Sequence, residues 1–131
     1  MTYKFSKRSL DNLKGIHPKL IQLMHASIIN APVDFVITEG VRTAIRQQEL
    51  FKSGKSKCDG INTLSKHQIR PDGYGYAVDL YPLPIDYKNK EPYIHLSNHI
   101  KKIAKQLDIK ISWGGDWKTF KDYPHYELGG K

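Results

Sequence analysis

The sequence predicts an α+β fold, a single domain whose small, mostly antiparallel sheet is flanked by helices. Three observations lead there. The chain has 131 residues, which suits one core and leaves little room for a second. Segments with apolar residues at helical spacing are interleaved with short β-branched, alternating segments. Their order lacks the regular βαβ alternation that a parallel sheet requires.

The elements follow in order. The first third reads as helical, over about residues 6–30, with a break at Pro18. Leu20, Ile21, Met24 and Ile28 form one apolar stripe, and Asn30-Ala31-Pro32 ends it, because proline disfavours helical geometry in the residue before it. Asp34 to Val41 is rich in β-branched and aromatic residues and reads as a strand. Thr43 to Phe51 reads as a helix closed by Ser53-Gly54, and the polar, basic stretch from Gly54 to Pro71 as a loop. Tyr76 to Tyr81 alternates as a strand does, and a Pro- and Asp-rich turn follows to Asp86. Leu96, Ile100, Ile103, Ala104 and Leu107 mark an amphipathic helix. Ile109 to Trp113 and Tyr123 to Leu128 complete the strands, so the core runs from about 34 to 128 within one domain, 1–131.

Composition bounds the function. Hydrophobic residues make up 39% and charged residues 26%, an ordinary globular balance. The one cysteine, Cys58, has no partner for an intramolecular disulfide and cannot build a thiolate metal site, so it reads as a surface thiol. The opening MTYKFSKRSLDNL lacks the apolar core of a secretory signal, and no run approaches the ~20 apolar residues of a membrane helix. Cytosolic synthesis and no membrane insertion are therefore expected. Twenty-one Lys and Arg against thirteen Asp and Glu give a net charge of +8, which favours polyanionic partners: nucleic acid, anionic lipid or an acidic cell envelope. Tyr74, Tyr76 and Tyr81 can be read as stacking residues of a nucleic-acid module. Against that reading, the lysines are dispersed and no helix-turn-helix or zinc-finger spacing occurs, so no specific nucleic acid is expected.

Two segments concentrate residues that carry chemistry, Ser65 to Pro82 (SKHQIRPDGYGYAVDLYP) and Ser112 to Leu128 (SWGGDWKTFKDYPHYEL). Asp79 stands between Val78 and Leu80 in an apolar strand, where a carboxylate either faces solvent or is paired, a metal ion being one such partner. In the second segment His125 and Glu127 share a strand face, so Glu127 can orient the imidazole. Asp122, three residues before His125, can reach a water beside it. Two histidines and an aspartate would leave one tetrahedral position open, as catalytic zinc sites do. His95 and His99 share a helix face, but Leu96 stands where an H-E-x-x-H helix needs its glutamate, so they read as a solvated or capping pair. His17 and His25 read as surface or core fillers.

These motifs resemble the zinc peptidase family of D-alanyl-D-alanine carboxypeptidases and phage L-alanyl-D-glutamate endopeptidases, related in fold to the hedgehog N-terminal domain. Ser65, His67, Gly75, Ala77 and Asp79 match the family's S-x-H-x-x-G-x-A-x-D. Trp113, Gly114, Gly115, Asp116 and Trp117 match its tryptophan-glycine stretch, and Asp122, His125, Glu127 and Leu128 its last motif. Glu39 to Phe51 matches a fourth, and the likeness covers about residues 34 to 128. One departure is that His67 lies twelve residues before Asp79 where the family has seven, so that five residues, roughly Arg70 to Tyr74, are inserted between them. A Pro-Asp-Gly turn can absorb such an insertion, which can also reshape the substrate cleft.

The resemblance implies one zinc ion per chain on His67, Asp79 and His125, with Asp122 as general base and acid. It implies that Arg42 steadies the substrate or the tetrahedral intermediate. Glu127, Ser65, Gln48 and Trp117 are then expected as supporting or substrate residues. The activity implied is hydrolysis of the L-Ala–D-Glu bond of peptidoglycan stem peptides by a monomeric phage or prophage endolysin, which reaches the wall after release from the host cytoplasm. The net positive charge would then hold it to the anionic envelope. A D,D- or L,D-carboxypeptidase that trims terminal D-alanine is the alternative activity. A non-catalytic zinc-containing or polyanion-binding domain is the alternative of another class.

Overall fold

A computed structural model of the chain describes residues 3–55, 58, 60, 66–119 and 121–129. Its elements are α1 (Lys7–Asn12), α2 (Pro18–Ile28), β1 (Phe35–Glu39), α3 (Ala44–Lys52), β2 (Ala77–Pro82), α4 (Glu91–Gln106), β3 (Ile111–Trp113), a 3-10 turn (Gly114–Asp116) and β4 (His125–Leu128). The four strands lie in the order β1-β2-β4-β3, every neighbouring pair antiparallel. The α+β expectation is met.

Alternation along β2 and β4 divides the sheet into two unlike faces. Val78, Leu80, Tyr126 and Leu128 turn to the core, joined by Phe35 and Ile37 of β1. Leu20, Leu23 and Met24 of α2 and Leu96 and Ile100 of α4 cover that face and are fully buried. Each such side chain contributes on the order of 1.5–3 kcal/mol. Asp79, His125 and Glu127 turn the other way and line a cleft.

The helices start and stop for local reasons. Pro18 opens α2 rather than interrupting a longer helix, and the His17 ring nitrogen Nδ1 accepts from the Lys19 amide at 3.1 Å as its cap. The preceding helix has already ended at Asn12, and Gly15 takes a left-handed turn (φ 81°) between the two. Thr43 caps α3 by accepting from the Arg46 amide. Strands are shorter than the sequence suggests by two residues at three ends. The β1–β2 register shifts between Ile37 and Glu39, which stops the strand before Val41. The Ile109 amide is taken by the Ala104 carbonyl at the end of α4, so β3 begins two residues later. Pro124 has no N–H to donate, and β4 begins at His125.

Short α1 has a job beyond packing. Ser9 Oγ accepts from the Ile37 amide at 2.9 Å, and Asn12 Nδ2 donates to the Ile37 carbonyl at 2.7 Å. These bonds satisfy backbone groups on the outer side of β1, which would otherwise be an open sheet edge.

Candidate metal and catalytic site

The sheet register brings two of the expected ligands together: Asp79 on β2 is the direct cross-strand partner of His125 on β4. His67 arrives from a loop and is fixed at its backbone and at its ring. Its carbonyl accepts from the Arg42 amide at 2.7 Å, and its Nδ1 lies 2.9 Å from the Gly40 carbonyl. Gly40 can present that carbonyl because it has no side chain; a Cβ there would stand 1.8 Å from the Asn12 carbonyl oxygen.

The three inward atoms form a nearly equilateral triangle. His67 Nε2 is 3.2 Å from Asp79 Oδ1 and 3.2 Å from His125 Nδ1, and His125 Nδ1 is 3.4 Å from Asp79 Oδ1. An ion held tetrahedrally at ~2.0–2.1 Å places its ligand atoms roughly 3.3–3.4 Å apart, so the triangle fits one face of that tetrahedron. The proton inventory agrees. A carbonyl can only accept, so His67 Nδ1 carries hydrogen and its Nε2 presents a lone pair. His125 Nε2 lies 2.7 Å from Glu127 Oε1 and donates to it, leaving the Nδ1 lone pair inward. Two imidazole lone pairs and a carboxylate oxygen thus converge, and only a cation makes that favourable. Among the described residues these three are a group of side chains able to hold a metal ion.

The protonation preferences express the same crowding. Burial pushes the Asp79 pKa up, but hydrogen bonds to His125 and His67 outweigh it and leave it well below the usual carboxylate range. Burial pulls the His125 pKa down, yet its bonds to Asp79 and Glu127 win and raise it to about 9. Without a metal, a proton takes the cation's place. Glu127 is held below its usual pKa, burial being overcome by His125 and by Lys66, whose Nζ is 3.7 Å away. Asp122 differs. Burial and the charge of Asp79 raise its pKa, against the opposing pull of His125, His67 and Arg42. Among the described residues its carboxylate accepts no hydrogen bond, and it faces the same cleft.

The tryptophan-glycine stretch sets Asp122 in place. The Asp122 amide donates to the Gly114 carbonyl at 3.1 Å, and a Cβ on Gly114 would lie 2.1 Å from the Asp122 carbonyl oxygen. Trp117 tilts over the His125 ring at 5.0 Å, and its Nε1 reaches Ser112 Oγ at 3.5 Å. Arg42 is nearly enclosed. Its Nε donates to Glu39 at 3.2 Å, its Nη1 to Gln47 at 2.7 Å and its Nη2 to Glu39, while Nη2 lies 3.8 Å from Asp79 Oδ2.

Of the residues expected from the sequence, His67, Asp79, His125, Asp122, Arg42, Glu127 and Trp117 all line one cleft of about 1030 Å³. Ser65 lies outside the described residues. Gln48 is half-buried, and the glutamine that reaches Arg42 is its neighbour Gln47, fully buried and also donating to the Cys58 carbonyl at 2.7 Å. Helix geometry explains this: Gln47 lies one turn after the cap Thr43, back above Arg42, whereas Gln48 is rotated ~100° away. Glu39, quoted in the sequence only as the start of a motif, is Arg42's main partner. The remaining histidines serve structure: His99 Nε2 meets the Ser27 carbonyl at 2.9 Å, His95 pairs with exposed Glu91, and His25 packs edge-on to Phe5.

The family model for phage L-alanyl-D-glutamate peptidases matches residues 1–129. The chain belongs to this family. The peptidase is 34% identical over 128 residues to the peptidoglycan L-alanyl-D-glutamate endopeptidase CwlK of Bacillus subtilis (strain 168), covering 86% of this chain and 73% of that protein. It is 29% identical over 131 residues to the L-alanyl-D-glutamate peptidase of Escherichia phage T5, covering 98% and 90% respectively. Among solved structures, the Serratia marcescens L-Ala D-Glu endopeptidase ChiX superposes with a TM-score of 0.79 at 29% identity, over 96% of this chain and 90% of that one. A vancomycin-resistance D,D-pentapeptidase, VanY, solved with Zn(II), shares the fold at TM-score 0.51 and 21% identity, over 86% and 70%.

Proposed function

We propose that this peptidase is a zinc enzyme that hydrolyses the L-alanyl–D-glutamate bond of peptidoglycan stem peptides. The observation that carries the metal is the triangle of three inward acceptors, the Asp79 carboxylate and two imidazoles whose protons are directed away from the centre by a carbonyl and a carboxylate. His67, Asp79 and His125 would hold the ion, and two imidazoles with one carboxylate suit zinc. The ion supplies Lewis acidity, which polarises a carbonyl and acidifies water.

The other residues follow from their environments. Asp122, half-buried and with a carboxylate that accepts no hydrogen bond among the described residues, takes a proton from the attacking water as its oxygen adds to the alanyl carbonyl carbon. As the C–N bond breaks, the same carboxyl returns that proton to the D-glutamate nitrogen. Glu127 is committed to His125 and Lys66, so it orients rather than transfers. Arg42 offers a fixed, always-ionised charge beside Asp79 for the developing oxyanion, its position set by Glu39 and Gln47.

The family and the relatives' names support the endopeptidase over the carboxypeptidase, since the D,D-peptidase shares the fold alone. In the same reading the enzyme acts on the cell wall as a monomer, and its +8 charge holds it to the anionic envelope. Among the described residues no helix is long and apolar enough to cross a membrane. The test is mass spectrometry of digested muropeptides. New N-terminal D-glutamate that vanishes with EDTA is expected; loss of terminal D-alanine alone makes the enzyme a carboxypeptidase, and no cleavage returns it to the silent binding domains.

A further inference from the structure

Three cations that line the cleft are half-buried: Arg42, Lys66 and Arg70. Arg8, Arg46, Lys55 and Lys121 are exposed, and water meets their charge at no cost. Of the half-buried three, Arg42 is bonded to Glu39 and Gln47. Lys66 lies 3.7 Å from Glu127 and donates to the Leu128 carbonyl. Arg70 stands apart. Its Nε is buried without a hydrogen-bond partner, and among the described residues no carboxylate lies within ion-pair distance of its guanidinium. A buried guanidinium N–H with no acceptor is unfavourable, and a binding site is where such a cost is retained.

Arg70 sits on the five-residue insertion between His67 and Asp79, whose backbone is bonded into a turn. The Arg70 amide donates to the Tyr74 carbonyl at 2.9 Å, and the Gly73 amide donates back to Arg70 at 2.8 Å. Asp72 accepts from the Tyr74 amide and from the Tyr76 hydroxyl. His17 packs edge-on against Tyr74 and Tyr76 at 5.5 and 5.2 Å and fastens the turn to the start of α2. The guanidinium carbon rests 5.9 Å from the Tyr76 ring centre. A clasped turn that aims an unpaired arginine along a cleft wall is a device for receiving an anion.

We propose that Arg70 binds a free carboxylate of the stem peptide and so determines which stems the enzyme accepts; this rests on the peptidase reading above. The stem offers two sources, the α-carboxylate of D-glutamate, which is chained onward through its γ-carboxyl, and the C-terminal carboxylate of the third residue. The chemistry is the same, and substrates separate them.

The experiment uses the zinc-loaded full chain and the tripeptide L-Ala–γ-D-Glu–L-Lys, its D-Glu α-amide and its C-terminal amide. Arg70→Gln should raise KM on the tripeptide about tenfold to a hundredfold, with kcat nearly kept, as loss of a charge-assisted bond does. It should leave unchanged whichever amide lacks the recognised carboxylate, and Arg70→Lys should recover part of the loss. The amide that is insensitive names the source. An equal loss on all three peptides, or no loss on any, overturns the inference while the wild type still cleaves. A wild type that cleaves none of them overturns the peptidase reading and the inference with it. Zinc stoichiometry of each variant reports that the adjacent site is intact.

Discussion

Stripping the metal leaves a centre that should bind a proton instead, and this exchange can be measured. In the metal-free protein His125 keeps its proton up to about pH 9, because Asp79 and Glu127 flank it despite its burial. Its ordinary value is 6.5, so at pH 6.5–8 zinc must displace close to one proton from the folded site. Apparent zinc affinity should therefore rise about tenfold per pH unit and level off near pH 9. The same shift is a stability statement. A folded pKa above the unfolded one stabilises the metal-free fold fully below pH 6.5, and the contribution is lost as pH rises through about 9. At ~1.4 kcal/mol per unit this amounts to about 3 kcal/mol. Calorimetric zinc titration at pH 6.5, in buffers of different ionisation enthalpy, counts the protons. Urea melts of the stripped protein at pH 6.5 and 9 give the stability loss, which the zinc-loaded protein should not show. Zero proton release, or equal stability of the stripped protein at both pH values, would refute the inward orientation of His125 Nδ1.

Asp122→Ala should retain one zinc per chain and lose about 10²–10⁴-fold in kcat, measured on a defined stem peptide; near-normal turnover would move the base role to Glu127. His67→Ala, Asp79→Ala and His125→Ala should each lose the metal as well, by elemental analysis after dialysis. Gly114→Ala places a methyl 2.1 Å from the Asp122 carbonyl oxygen, so kcat should fall with zinc stoichiometry unchanged. Gln47→Leu leaves an Arg42 donor unpaired and should cost about 1–3 kcal/mol in urea melts, whereas Gln48→Leu should stay within about 0.5 kcal/mol.

The parts of this molecule governed by short-range periodicity were legible in the sequence. Alternation in Tyr76 to Tyr81 and Tyr123 to Leu128 placed Asp79 and His125 on strands, and helical spacing found α2 and α4. The site residues needed motif resemblance as well, since nothing local tells that β2 and β4 are neighbours or that His67 crosses twelve residues to meet them. What stayed hidden is tertiary. Ser9 and Asn12 look like ordinary helix polar residues until Ile37 stands beside them. Gln47 and Gln48 are chemically identical, and only the angle of α3 against Arg42 separates them. The need for glycine at 40 and 114 lies in the Asn12 and Asp122 backbones, each distant or folded back in the chain.

Because side chains alternate along β4, sliding it by a single residue against β2 would carry His125 into the hydrocarbon layer and bring Tyr126 out to water. A chain mispaired in this way would withdraw the His125 nitrogen from the ion. Metal uptake thus doubles as a quality check on strand alignment, and molecules that fail it would be left both inert and without the ion's stabilisation.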